Sequence, residues 1–274
     1  MLGKLAAKLA PREPQWQHAA LRLTARGWET AALPSADGNG SLVVALDLPA
    51  REAMVEYSAG PRTRIPLTPH RSVAAVTREI LAAVPVELDL APQEVSWTTP
   101  FDEDEEHRTY EPAHVEEYFA AATSVARVLA AFRAPYRGRS TPVNAWWGSF
   151  DLAVNLFSGR PAEPPSRDLL MRNAMDSEEI AVGWWPGDDR YPRPAFYAYV
   201  HPAQAGFEEA LLAPGRGDAA LGEFVLDWDD VIAVPDPHAA VMAFLRGAVR
   251  YGCAICGWDA DLAASAVGAL PPVM

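Results

Sequence analysis

Two short stretches concentrate side chains that could bind or process a small molecule. The first, Trp146-Trp147-Gly148-Ser149-Phe150-Asp151, sets two indoles, a hydroxyl and a carboxylate close together in the chain. Read as a strand, whose side chains alternate between faces, it points Trp147, Ser149 and Asp151 one way and Trp146 and Phe150 the other. One face is then core, while the other mixes an apolar wall with a few orienting polar groups, as small-molecule pockets do. The second stretch, Asp176-Ser177-Glu178-Glu179, precedes another aromatic cluster, Gly183-Trp184-Trp185-Pro186-Gly187. Glu178 together with Asp151 makes the carboxylate pair that general acid and base catalysis requires, with Trp184 or Trp185 as a stacking platform of the kind used on sugars. His201, at the end of an expected strand over 196–200 that also carries Tyr197, is placed as a base. Arg160, after a turn-forming Gly159, suits a carboxylate or phosphate.

Each of these groups has a plainer reading. Asp151 is equally suited to cap a helix over 152–157, with the tryptophans packed inside. Gly159 then closes that helix and Arg160 pairs with a surface acid. His201 is equally a structural histidine before Pro202. With 36 acids and nine tryptophans in the chain, acid–indole neighbours also arise by chance. Cys253-Ala254-Ile255-Cys256 has the spacing of a redox pair, but it falls late in an apolar helix, where thiols act as small apolar residues. Zinc would need two further ligands, and no second Cys pair exists. No phosphate-binding loop, serine elbow or His-Glu-x-x-His motif occurs. The candidate catalytic set is therefore Asp151, Glu178 and His201, the candidate ligand-binding set Trp146, Trp147, Ser149, Arg160, Trp185 and Tyr197, with no metal set and no cofactor identified.

The elements that must position these groups read as α+β, with antiparallel sheets and covering helices. Short alternating runs at 19–25, 41–48, 53–57 and 63–67, divided by turn-forming groups, predict a meander. Val73, Val76, Ile80 and Leu81 share the stripe of a covering helix, and a strand is expected at 84–90. The five acids of 102–106 predict an exposed loop. Pro112 to Arg133 is the strongest helical signal, with Val115, Phe119, Ala122, Val125, Leu129 and Phe132 in line. The last third repeats the order: strands at 196–200 and 223–228, then a helix over 237–251. Gly206-Phe207-Glu208 echoes Gly27-Trp28-Glu29, and Pro237-His238 echoes Pro69-His70. The expected organisation is one compact unit over 1–274, with two related halves at 1–134 and 135–274.

The run from Thr141 to Pro161, centred on Trp147-Gly148-Ser149-Phe150-Asp151-Leu152-Ala153-Val154 and ending in Phe157-Ser158-Gly159-Arg160, resembles a bacterial family of uncharacterised proteins, a domain of unknown function. The resemblance extends to Leu23–Gly27, Trp97–Pro100, Tyr110–Pro112, Gly183–Gly187 and Ala195–Tyr199, and so covers nearly the whole chain. It implies no activity, cofactor or catalytic residue. Where the family pattern carries a histidine ahead of the aromatic pair, this chain has Asn144. Some relatives also carry histidines near the positions of Gly148 and Ser149, so a histidine-centred site is not expected in this segment.

Composition bounds the partners. The chain has 274 residues with 23 Lys plus Arg against 36 Asp plus Glu, a net charge of −13. Nucleic acid and anionic membrane surfaces draw on basic side chains and are poor partners for such a chain. No apolar run approaches the roughly 20 residues of a membrane span. The start of the chain, interrupted by Lys8, reads as a short amphipathic helix rather than a signal peptide. Two cysteines make no disulfide framework, so the expected compartment is the cytoplasm. The function expected is binding of a small polar organic molecule in an aromatic-lined pocket, with acid–base chemistry open to it. The alternative is a non-catalytic interaction or assembly protein whose aromatic segment is core or interface. Whether the chain is an enzyme, and its oligomeric state, are not legible at this level.

Overall fold

The structure is a computed structural model that describes residues 1–35, 38–92 and 97–268. The chain divides into two compact units, residues 1–123 with 144–150, and residues 124–143 with 151–274. It is α+β, built on antiparallel sheets.

The first unit opens with helix α1 (Leu2–Leu9), whose Leu2, Leu5 and Ala6 are buried. Strands β1 (Arg22–Thr24), β2 (Gly27–Glu29), β3 (Leu33–Pro34), β4 (Ser41–Asp47), β5 (Glu52–Tyr57) and β6 (Arg62–Pro66) follow. They pair in the order β1-β2-β4-β5-β6, with β3 joined to β4. Val44, Val55 and Ile65 share the buried face, since Val44 faces Val55 across the ladder. Helix α2 (Val73–Ala83) is started by Ser72, whose side chain accepts from the Ala75 N–H. Its buried stripe is Ala74, Thr77 and Ile80, one position round from the stripe through Val73 and Val76.

The strand expected at 84–90 does not form; those residues join no ladder. Asp104, in the acidic run, is buried rather than solvated. Its Oδ1 accepts from the backbone N–H groups of Glu106 and His107, and its carbonyl accepts from Ala74 N–H at 2.9 Å. The run thereby ties the loop to the start of α2, because a short carboxylate closes an Asx turn where a glutamate could not reach.

Helix α3 (Pro112–Arg133) has the bounds its periodicity predicts. In the second unit its Val125, Leu129 and Phe132 are buried. In the first, Tyr118 lies 6.0 Å from Trp28 and donates to the Phe150 carbonyl at 2.8 Å. The short strand β7 (Asn144–Ala145) bridges to Leu21.

The second unit holds strands β8 (Leu152–Pro161), β9 (Ser177–Trp185), β10 (Ala195–His201), β11 (Arg216–Asp218) and β12 (Glu223–Asp227). They are ordered β11-β12-β10-β9-β8. Helix α4 (Leu169–Ala174) lies in the β8–β9 connection, and α5 (Trp228–Ile232) follows β12. Helix α6 (Pro237–Ile255), capped by Asp236, buries Val241, Phe244, Leu245, Ala248 and Val249 and approaches the sheet closely at Gly252. A methyl group at Gly252 would come within 2.9 Å of Ile180. Helix α7 (Ala260–Ala266) ends the described chain.

The echo between the two halves does not extend to conformation at its clearest point: Gly27–Glu29 is strand, whereas residues 206–209 form turns. Likewise Pro237 and His238 begin a helix, while Pro69 and His70 precede one by a turn.

Candidate functional site

The segment around Asp151 folds differently from either reading of its sequence. Residues 147–149 form a turn, and Phe150 follows with φ +57°, so Trp147, Ser149 and Asp151 do not share a strand face. Trp147 instead lies against Gly3 in the first unit; a side chain at Gly3 would overlap its indole. Asp151 caps no helix, because 152–161 is strand. The β-branched and aromatic run Val154, Leu156 and Phe157 is satisfied by pairing with β9 along its length. Gly159, with φ +90°, takes a left-handed conformation at the break in register between Phe157 and Pro161 rather than ending a helix.

The sheet of the second unit has two unlike faces, set by strand alternation. Leu152, Val154 and Leu156 of β8, Ile180, Val182 and Trp184 of β9, Phe196, Ala198 and Val200 of β10, and Phe224 and Leu226 of β12 make the apolar face on the α6 side. The other face carries Asp151, Ala153, Asn155 and Phe157, then Glu179, Ala181, Gly183 and Trp185, then Ala195, Tyr197, Tyr199 and His201, and finally Glu223, Val225 and Asp227. A sheet face this polar is ordinarily solvated. Here Asp151, Glu179, Tyr197, His201 and Asp227 are all buried.

At one end of this face, Tyr197 Oη donates to Asp151 Oδ2 at 2.6 Å. The Trp185 ring stands edge-on to Tyr197 at 5.3 Å, and Tyr191 lies 5.5 Å beyond it. The Tyr191 hydroxyl donates to Asp227, whose other oxygen receives Arg216 at 3.2 Å. Gly183 lets Tyr197 lie flat over β9, because a side chain there would meet its ring at 2.4 Å and the Leu152 carbonyl at 2.5 Å.

At the other end, Glu179 and His201 are direct cross-strand partners. Glu179 Oε1 accepts from Asn155 Nδ2 at 3.0 Å. Its Oε2 and the Nε2 of His201 are buried with no hydrogen-bond partner among the described residues. Burial pushes the Glu179 carboxyl up to about 8, outweighing the Asn155 hydrogen bond and the charge of Arg139, so it carries a proton at neutral pH. Burial likewise lowers the His201 imidazole, outweighing the main-chain groups of Met175 and Glu163 that favour its charged form.

Between the two ends Tyr199 stacks parallel to Tyr197, rings 6.2 Å apart. Burial raises both phenols well above their usual range, reinforced by Asp151 beside Tyr197 and by Glu179 and Glu223 beside Tyr199. Burial also pushes Glu223 up to about 7. Asn155, Tyr199 and Glu223 are half-buried, so solvent reaches the middle of the face while both ends are closed. Two carboxyls that exchange protons near neutrality, beside oriented phenols, are suited to acid–base work.

The structure thus brings Asp151, Trp185 and Tyr197 together and puts His201 on the same face, about 13 Å further along β10. It does not bring Glu178 to Asp151. The register that sets Leu152 against Trp184 and Phe157 against Glu179 separates them by roughly 24 Å along the strands. Glu178 accepts from Arg160 at 2.7 and 2.8 Å, and Arg160 also donates to the carbonyls of Cys256 and Gly257 beyond the end of α6. Arg160 is therefore an ion-pair and helix-end residue. Trp146, Trp147 and Ser149 belong to the first unit. Glu179, Asn155, Tyr199 and Glu223 were missed by the sequence reading, although the alternation Glu179-x-Ala181-x-Gly183-x-Trp185 and Tyr197-x-Tyr199-x-His201 carries the signal. Burial raises Cys253 to about 12 and Cys256 to about 11, so neither is a thiolate at neutral pH. Among the described residues no group of three or more His, Cys, Asp or Glu side chains is placed to hold a metal ion.

Among known proteins, a family model described as a family of unknown function (DUF5996) matches residues 1–265. No curated protein and no solved structure matches the chain.

Proposed function

Because the chain belongs to DUF5996, a family of unknown function, no activity comes with membership, and we propose from the geometry that the polar sheet face binds a small polar organic molecule. The observation that carries this is the pair of buried, unpartnered polar atoms, Glu179 Oε2 and His201 Nε2, on directly opposed strand positions. A buried polar group without a partner costs about 1–3 kcal/mol, a cost that a bound hydroxyl, amide or carbonyl group removes. The protonated Glu179 offers a donor and His201 a neutral imidazole, while Tyr199 and Tyr197 supply flat apolar walls. Small Ala153 and Ala181 let these rings lie close over β8 and β9. Glu223 and Glu179 are the acid–base groups if the bound molecule reacts.

A cytoplasmic setting is supported by two free cysteines in a chain where no described helix is long and apolar enough to cross a membrane. A thermal-shift screen of polar metabolites tests the binding reading, run on wild type, Glu179→Gln and Asp151→Asn. Binding predicts at least one compound that raises the wild-type midpoint and loses its effect in Glu179→Gln, with that variant folded. The reading fails if wild type responds to no compound, or if the variants respond as wild type does.

A further inference from the structure

On the α6 side of the second unit, away from the polar face, residues 210–213 and the outer surface of α6 border an open groove of about 460 Å³. That volume lies in the range of small-ligand pockets. Its walls are apolar and aromatic, Leu211, Leu212 and Tyr251, with buried Phe224 packed beneath Tyr251. Phe224 alternates with Glu223 and Val225, which puts it on the helix side of the sheet. Leu212 sits over Gly247, where a side chain would meet its Cδ1 at 2.6 Å, so the glycine lets Leu212 pack down on α6 as the groove's wall. Leu211 is fully exposed, an apolar side chain held in water at the groove's edge.

Arg246 and Arg250 also line the groove. One helical turn apart, they stand on the same side of α6, roughly 6 Å apart at Cβ, and the Arg246 guanidinium also lies beside Gly268, 3.4 Å from where a side chain there would begin. Neither makes an ion pair or a hydrogen bond among the described residues, and the groove contains no carboxylate. Two like charges beside an apolar trough are unfavourable to each other until an anion joins them, and a guanidinium pair offers parallel donors to a carboxylate or phosphate.

We infer that this groove binds an organic anion with an apolar body, its carboxylate or phosphate held by Arg246 and Arg250 and its hydrocarbon part lying on Leu212 and Tyr251. The two head groups share this chemistry, and separate probes tell them apart. Isothermal titration of the full chain with decanoate and with decyl phosphate, both kept below their micellar concentrations, measures it, with decanol as the uncharged control. One site per chain is expected for at least one anion, with decanol at least about tenfold weaker. The double variant Arg246→Ala/Arg250→Ala loses at least about tenfold in affinity, Arg246→Lys/Arg250→Lys loses less, and Leu212→Ser weakens binding with both arginines intact. Tighter binding of decanoate assigns a carboxylate ligand, and tighter binding of decyl phosphate a phosphate one. The inference is overturned if neither anion binds at millimolar concentration, if decanol binds as well as the anions, or if the double arginine variant binds like wild type. Arg246 and Arg250 are surface residues whose replacement spares the core, and their test is independent of Glu179 and Asp151.

Discussion

Glu179 is a buried carboxyl of the polar face, and its protonation has a consequence for stability. Its carboxyl titrates near 8 when folded and near 4.5 when unfolded. Below the unfolded value both states are protonated and burial costs no ionisation. As pH rises from about 5 to about 8 the unfolded chain gains by ionising and the folded chain does not, so stability falls by up to about 1.4 kcal/mol per pH unit from this group. Glu179→Gln removes that dependence: urea denaturation of the variant and wild type at pH 5 and pH 8 should show a stability gap that moves in the variant's favour at the higher pH. Equal pH dependence in the two proteins contradicts the assignment. Tyr197 is the other informative residue. Tyr197→Phe keeps the ring on Gly183 and removes the donor to buried Asp151, with an expected loss of about 1–3 kcal/mol in denaturation. Arg160→Ala, by contrast, breaks a pair whose arginine is half exposed, and is expected to cost under about 1 kcal/mol.

At the level of elements, close approach of β9 to its neighbours shapes the site. Gly183 faces Ala153 on one side and Tyr197 on the other, and a methyl group there meets a backbone carbonyl that cannot move without breaking the ladder. Gly183→Ala is expected to destabilise by about 1–3 kcal/mol in thermal or urea unfolding and to disturb the Tyr197–Asp151 contact. Helix α3 was legible because its apolar stripe recurs at helical spacing along its whole length, and Leu129 and Phe132 fall where the period puts them, while α6, expected over 237–251, runs on to Ile255. The strand β8 was not legible. Asp151 before an apolar run satisfies a helix cap, and Leu, Ala and Phe serve either structure, so only pairing with β9 decides between them. The same pairing decides the site. A shift of one position exchanges Glu178 for Glu179, and the register that buries Glu179 beside His201 leaves Glu178 to Arg160.

For the molecule as a whole, the acidic balance makes nucleic acid and anionic membranes the expected non-partners and leaves small molecules and other proteins open. What composition could not show is where the charge matters. The acids of residues 102–106 are partly structural, through Asp104, while the acids of the polar face carry little charge where burial keeps Glu179 and Glu223 near or above neutrality in their titration. A gel-shift assay at physiological salt should show no retardation of duplex DNA by a chain of net charge −13; retardation would contradict the reading of its surface. The central claim is that the second sheet holds a buried, proton-carrying carboxyl with an unpartnered oxygen at neutral pH. A carbon-13 NMR titration of glutamate-labelled protein, with Glu179 assigned by its loss in Glu179→Gln, measures this directly. The account predicts a midpoint near 8. A midpoint near 4.5, the ordinary glutamate value, would show a solvated carboxylate and contradict it.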